Sequence, residues 1–165
     1  MATYPIRPPR IASPSYDNWR QGPASGTFNK GALVYWDTTN KVFTECSANP
    51  TLIAGIALMG SGDVLDGGGA GPQLVNYNVS VAPITSSTEI VMTLGGTYAA
   101  SDIGASYGIA KDSTTGNWYV NKADTTNTRV RVLRLVNNPE EQYQVGDTNV
   151  RVIVQVLPSY VQTGY

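Results

Sequence analysis

The stretch "GALVYWDTTNKVFTECS", residues 31–47, contains an apolar run, a polar turn, and a second run in which apolar and polar residues alternate. Short runs rich in Val, Tyr, Trp and Phe on either side of Asp, Thr and Asn are typical of a β-hairpin. A second stretch, "GASYGIAKDSTTGNWYVNKADTT" at residues 104–126, has the same layout and the same opening Gly-Ala. The pair is compatible with a duplicated unit. Two unrelated hairpins with the same turn residues would also look alike, so both interpretations stay open.

Strand-like runs continue through the rest of the chain after residue 27. "TLIAGIALM", residues 51–59, is a short apolar run between Asn-Pro and Gly-Ser-Gly, which favours a buried strand over a helix. Further runs with turn residues between them are "QLVNYNVSVAPI" (73–84), "STEIVMTLGG" (87–96), "TRVRVLRLV" (128–136) and "NVRVIVQVLP" (149–158). Several short strands at close spacing predict an all-β fold, a compact antiparallel barrel or sandwich with little or no helix.

The first 27 residues differ from the rest because they contain five of the ten prolines. Proline removes a backbone donor and fixes φ, so we expect neither a helix nor a central strand in this segment. The segment also carries aromatic residues and arginines, which favour an extended arm that grips a partner over an ordinary frayed terminus. The sequence therefore predicts an arm at residues 1–27 and a single body at residues 28–165. Deleting the arm should leave a folded body. The candidate contact residues are Arg7, Arg10, Tyr16, Trp19 and Arg20.

The composition limits the possible partners. The net charge is −1, and only 14% of the residues are charged, against about 25% in typical soluble domains. Nucleic acid is therefore not expected as a partner. So few charges suggest either a large interface or a surface rich in Thr, Ser and Asn. The chain has no signal-peptide pattern and no apolar run long enough to span a bilayer, so we expect synthesis in the cytoplasm and no membrane partner.

The residue types needed for catalysis are mostly missing. The chain has no histidine, the commonest general base and metal ligand, and a single cysteine, Cys46. A lone cysteine on a strand is most often a small buried apolar residue. No group of residues has the spacing of a metal site, and the pair Glu140 and Glu141 is interpreted as solvated charge. We therefore predict no enzyme, with no catalytic, cofactor-binding or metal-binding residue.

Aromatic pairs and an arginine-rich strand remain as candidates for binding surfaces. In Tyr35–Trp36 and Trp118–Tyr119 one member should face inward and its neighbour outward, because side chains alternate along a strand. An outward aromatic residue could stack on a sugar or anchor a protein interface. The arginines at 129, 131 and 134 fit a solvated outer face, and an acidic partner surface is the alternative.

Residues 30–63, "KGALVYWDTTNKVFTECSANPTLIAGIALMGSGD", resemble tailed-bacteriophage capsid decoration proteins, also called cement or head-stabilising proteins. The resemblance rests on the Gly-x-Leu-Val strand, the short turn, and the "IAGIAL" strand at residues 53–58. The stretches "IGASYGIAKDSTTGNWYVNKADTT" (103–126) and "GDTNVRVIVQVLPS" (146–159) are similar to the same group.

The resemblance implies a β-barrel or β-tulip-like body that forms a homotrimer on the outer surface of an icosahedral capsid. An N-terminal arm would lie along the major capsid protein and hold neighbouring capsomers together. We therefore expect a structural virion protein whose partners are the major capsid protein and further copies of itself. The alternative is a carbohydrate-binding or fibre-type module on a phage head or tail that uses Trp36 and Trp118 as exposed stacking platforms.

Overall fold

A computed structural model describes residues 1–12, 20–61, 78–137 and 142–165 of the chain. The described residues contain β-strands and two 3₁₀ turns, at Ala100–Asp102 and Pro158–Tyr160, which confirms the predicted all-β fold with little or no helix. None of their helical segments is long and apolar enough to cross a membrane. The strands are β1 (Arg10–Ile11), β2 (Arg20–Ser25), β3 (Leu33–Asp37), β4 (Val42–Glu45), β5 (Gly55–Ala57), β6 (Asn78–Pro83), β7 (Ile90–Gly95), β8 (Ser106–Lys111), β9 (Trp118–Asn121), β10 (Val130–Leu135) and β11 (Arg151–Val156).

Within the described residues these strands form two closed five-stranded barrels, where the sequence predicted a single body. The first barrel has the cyclic order β2-β4-β3-β5-β6, and the second has the order β7-β9-β8-β10-β11. The pairs β2–β4 and β7–β9 are parallel, whereas the other pairs within each barrel are antiparallel. The short strand β1 is an additional antiparallel neighbour of β7.

The two barrels are copies of one topology, because the nth strand of each occupies the same place in the cyclic order. The match extends to single hydrogen bonds at the entrance to each hairpin. Gly31 N donates to Ala57 O and Gly104 N to Val132 O, both at 2.8 Å. Both glycines have a left-handed backbone, with φ of 87° and 85°. The similarity between residues 31–47 and 104–126 therefore reflects a repeated architecture.

The core consists of the inward side chains of both barrels, which form one contiguous apolar cluster. Strand β5 is buried along its whole length, as predicted for the run at residues 51–59. Hydrophobic burial of this kind is the main favourable term in folding. Because one cluster runs through both barrels, we expect them to fold together.

The expectation that residues 1–27 contain no central strand was wrong. Strand β2 pairs with β6 along Arg20–Pro23 and with β4 along Ala24–Ser25. Pro23 is tolerated because the backbone groups alternate between the two edges of a strand, and the missing N–H of Pro23 lies on the edge away from β6. Deleting residues 1–27 would therefore remove a barrel strand, contrary to the expectation of an intact body.

Candidate functional site

The first twelve residues, which we call the N-terminal strap, lie along the second barrel. The hydrogen bonds that hold the strap mostly join its backbone to strand edges and polar side chains. They join Ala2 N to Asp147 Oδ1 (2.7 Å), Tyr4 N to Thr148 O (3.0 Å), Asn149 Nδ2 to Tyr4 O (3.0 Å), Asn117 Nδ2 to Ile6 O (3.0 Å), Arg7 N to Thr93 Oγ1 (3.1 Å) and Ala12 N to Glu89 O (2.9 Å). Such contacts recognise an extended backbone and leave many strap side chains at the surface.

The strap also contacts the first barrel. Pro8 packs so closely on Gly31 that a Cβ atom added to Gly31 would stand 2.7 Å from the Cβ of Pro8. The next residue, Pro9, is buried. Near the start of the strap, the ring of Tyr4 contacts the second barrel, where it meets the ring of Tyr143 edge to face at 4.9 Å. The strap therefore joins the two barrels.

The C-terminal tail, residues 158–165, crosses in the opposite direction, from the second barrel to the first. Ile53 N donates to Tyr160 O at 2.7 Å, and Gln162 N donates to Ile53 O at 2.9 Å. The Tyr165 hydroxyl donates to Ala54 O at 2.9 Å, and its ring packs edge to face on Phe43. Each terminal segment thus lies on the barrel to which it does not belong.

Two amide residues, Gln162 and Asn49, hold the barrels to each other at equivalent backbone sites. Trp36 N donates to Gln162 Oε1 at 2.7 Å, and Gln162 Nε2 donates to Trp36 O at 2.8 Å. On the second barrel, Ile109 N donates to Asn49 Oδ1 at 2.9 Å, and Asn49 N donates to Ile109 O at 3.1 Å. Trp36 on β3 and Ile109 on β8 occupy equivalent positions, so each barrel supplies an amide that pairs with the same backbone site of the other.

Three of the predicted contact residues lie in the described structure, and their side chains are exposed. Arg7 and Arg10 lie on the strap, three residues apart. Arg20 lies on β2 of the first barrel, with its guanidinium carbon 5.8 Å from the ring centroid of Tyr165. Tyr16 and Trp19 lie outside the described residues. The structure therefore places Arg7 and Arg10 on one segment and Arg20 on a different barrel.

The two tryptophans proposed as sugar platforms differ in burial. Trp118 is 1% exposed, and its indole N–H donates to Glu45 Oε1 at 3.0 Å, so it cannot stack on a ligand. Its neighbour Tyr119 is half-buried, which confirms the predicted alternation for this pair. Trp36 is half-buried and packs edge-on against Phe43 at 4.8 Å. Trp118 is thus part of the core and of the contact between barrels.

Cys46 is a buried core residue, as predicted for a lone cysteine on a strand. Its thiol lies 3.6 Å from the carbonyl oxygen of Leu52, to which it can donate. Burial, assisted by the negative charge of Glu45, raises the pKa of the Cys46 thiol far above its usual value. The thiolate, which is the nucleophilic form, is therefore strongly disfavoured.

A buried carboxylate that the sequence did not single out lies in the second barrel. Asp102 is 1% exposed and accepts hydrogen bonds from Lys122 Nζ (2.8 Å), Tyr107 Oη (2.6 Å) and Ala99 N (2.8 Å). Burial acts to raise the pKa of Asp102, but these donors outweigh it and lower the pKa below the usual value. Burial and the bond to Asp102 raise the pKa of Tyr107 to about 12. The fully paired group stabilises the loop between β7 and β8.

The arginine-rich strand β10 and the residue before it serve more than one purpose. The guanidinium of Arg129 donates to Pro50 O (2.6 Å) and Asn49 O (3.0 Å) and stacks on the ring of Tyr160 at 4.1 Å. Arg134 forms a bidentate pair with Glu89 at the surface, with N···O distances of 2.6 and 2.8 Å. Arg131 is exposed. The predicted solvated face therefore holds for Arg131 and Arg134, whereas Arg129 joins the two barrels.

The remaining candidates carry little chemistry. The described residues contain no group of three or more metal-ligating side chains. A depression of about 270 Å³ is lined by Tyr35, Ser47, Pro50, Thr51 and Leu52, none of which is charged. Comparison with protein families and with curated proteins gave no match to this chain. The candidate surface is therefore the exposed side of the strap and the adjoining strands.

Proposed function

We propose that this chain is a structural virion protein that binds the outside of a phage icosahedral capsid as a trimer. There it stabilises contacts between capsomers of the major capsid protein. The observation that carries the proposal is the strap, whose backbone is held by the second barrel while the side chains of Arg7 and Arg10 are exposed. A basic surface with a fixed backbone is suited to gripping an acidic protein surface, because little ordering entropy is lost on binding.

The rest of the described structure supports an adhesive role. Three residues with acidic or thiol side chains have structural partners or are buried. Glu45 binds Trp118 and Lys111, Asp102 binds Lys122, and Cys46 is buried. Both barrels are closed, which removes most of the strand edges through which β-proteins aggregate. A stiff body of this kind can transmit load between capsomers.

Stabilisation by such a protein would arise from mass action. A subunit that binds only the assembled shell lowers the free energy of that shell relative to its parts. A standard contact would bury about 800 Å² on each partner. Many copies on one closed lattice would then resist the separation of capsomers.

Co-sedimentation with emptied, expanded phage capsids that lack this protein tests the proposal. We expect the wild-type chain to pellet with the capsids. The double variant Arg7→Ala, Arg10→Ala should bind at least about tenfold more weakly and with a shallower salt dependence, because it lacks two surface charges that guide association in the wild type. Arg131→Ala is the matched control, because it removes an exposed arginine from a strand outside the strap. Equal binding by the double variant and this control would contradict the role of the strap.

The solution mass tests the trimer separately. A mass of three chains at micromolar concentration supports the proposal, and a monomer at capsid-binding concentrations would contradict the trimer. The alternative of a carbohydrate-binding module loses one of its two platforms, because Trp118 is buried. Specific retention of the chain on a polysaccharide, abolished by Trp36→Ala, would favour that alternative over capsid binding.

A further inference from the structure

The repeat allows the two barrels to be compared edge by edge, and one edge differs. In the second barrel, β7 has β11 on one side. On its other side lie β9, along Thr93–Gly95, and β1, along Ile90–Val91. In the first barrel, β2 has β6 on one side and β4 on the other, but β4 reaches only Ala24–Ser25. Arg20 and Gln21 stand where Ile90 and Val91 stand in the second barrel, and no strand of the described residues pairs with their outer edge.

The direction of the backbone groups at this edge follows from the neighbouring ladder. Ser80 O accepts a hydrogen bond from Leu58 N at 2.8 Å, so the backbone groups of Ser80 point away from β2. Ser80 is the register partner of Gln21. In an antiparallel ladder a non-hydrogen-bonded pair directs its groups outward on both strands. Gln21 therefore directs its N–H and C=O toward the outer edge, as Val91 does toward β1.

We propose that the outer edge of β2 at Arg20–Gly22 binds an extended segment of the capsid protein as an added antiparallel strand. The inference rests on the proposed function and adds a second contact, besides the strap, through which it is carried out. The occupied edge of the second barrel shows what such a site accepts: a short extended segment held by its backbone. Main-chain pairing at an exposed edge is an established mode of peptide recognition.

Three features define the partner segment. Pro23, the next outward residue after Gln21, offers no N–H, so the pairing must be short. Arg20 is exposed beside the edge, which favours an acidic residue opposite it on the incoming strand. A strap from a second copy is a poorer candidate, because the strap is already paired with β7 of its own chain.

Residue-resolved hydrogen exchange of the free protein is the first test. We expect the amide of Gln21 to exchange at least about 100-fold faster than the amide of Val91, because only Val91 faces a paired strand. Capsid binding should then protect the Gln21 amide. Equal protection of the two amides in the free protein would show that the edge is already covered and would overturn the inference.

Substitution at the edge is the second test, again by co-sedimentation with emptied, expanded capsids. Gln21→Pro removes the outward N–H without removing a bond to β6, whereas Gln21→Ala keeps the N–H and is the matched control. We expect at least a tenfold loss of binding for Gln21→Pro alone, with both variants retaining the thermal transition of the wild type. Wild-type binding by a folded Gln21→Pro overturns this inference and leaves the proposed function standing. A wild-type chain that stays in the supernatant overturns both.

Discussion

The two barrels share one strand order but differ in the polar groups at equivalent positions. The second barrel contains the buried carboxylate of Asp102 with its donors Lys122 and Tyr107, whereas the first has Asn29, Glu45 and Val34 at the corresponding places. Glu45, the counterpart of Lys122, instead reaches across to Trp118 and Lys111 of the second barrel. The same fold position thus serves internal packing in one barrel and the contact between barrels in the other. The strand topology tolerates this exchange because it depends on apolar alternation and turn residues.

The largest expected effect concerns a position where the first barrel has no room for a side chain. Gly55 on β5 corresponds to Val130 on β10, and a Cβ atom on Gly55 would collide with the carbonyl oxygen of Ala82 and with Val81. We expect Gly55→Ala to lower the free energy of unfolding by about 3 kcal/mol, because backbone must move to admit one methyl group. Urea unfolding measures the change.

Gly26→Ala is the control for Gly55→Ala, because no atom lies within 4 Å of a Cβ added to Gly26 and the substitution strains only a left-handed backbone. Gly26→Ala should lower the free energy of unfolding by about 1 kcal/mol. A Gly55→Ala variant as stable as the control would show that the close approach of β5 and β6 is absent in solution.

The next effect tests the buried charge that only the second barrel has. Asp102→Asn should cost about 2 kcal/mol at pH 7, because the ammonium of Lys122 loses its paired carboxylate. The folded-state pKa of Asp102 lies below its usual value of 3.8. The negative charge of Asp102 therefore stabilises the fold above pH 3.8, and this stabilisation is lost as the pH falls toward the folded-state pKa. The difference in stability between the wild type and Asp102→Asn should therefore become smaller below about pH 4.

The first barrel provides the control for this charge. Asn29→Asp places a carboxylate at the equivalent position, which is exposed and where Glu45 stands in place of Lys122. We expect little change in thermal stability at pH 7. Thermal unfolding between pH 3 and pH 7 checks both variants. If the difference in thermal stability between the wild type and Asp102→Asn stays constant over this pH range, the role given to the Asp102 charge is contradicted.

The smallest effect distinguishes the two equivalent glycines at the hairpin entrances. Alanine at Gly31 or Gly104 strains a left-handed backbone and should cost about 1 kcal/mol in either barrel. Only Gly31→Ala also displaces Pro8, because the nearest atom to a Cβ on Gly104 is 4.0 Å away. Hydrogen exchange of the Tyr4, Arg7 and Ala12 amides should therefore rise in Gly31→Ala and stay unchanged in Gly104→Ala. Equal exchange in the two variants would mean that Pro8 does not anchor the strap.

Much of the strand content could be predicted because its signals are local. The hairpin of β3 and β4 turns at Asp37, whose carboxylate accepts the N–H groups of Thr39 and Asn40, which is the chemistry that Asp and Asn bring to turns. Strand β2 was missed because Pro23 was treated as incompatible with a central strand. Its effect depends on which edge its nitrogen faces, and that edge is known only once β6 is in place.

The candidate site was less predictable than the fold. Arg7 and Arg10 were predicted to contact a partner from an extended arm, and this contact stays a prediction. The structure places them on a segment whose backbone lies on the second barrel. The sequence alternation could not rank Trp36 against Trp118, which have similar neighbours and different burial. The contacts of Asn49 and Gln162 between the barrels could not be predicted, because asparagine and glutamine are common outside strands and do not indicate a contact there.

The sequence by itself determined where most strands and turns after residue 27 lie and which reactive residue types are absent, because alternation, turn residues and composition act over a few neighbouring positions. Only the tertiary structure decided how those strands close into two barrels and how the barrels hold each other. Gln162 and Trp36 are 126 positions apart in the chain, and Ala2 and Asp147 are 145 apart. Contacts at such separations depend on the relative placement of whole barrels, which no local pattern encodes.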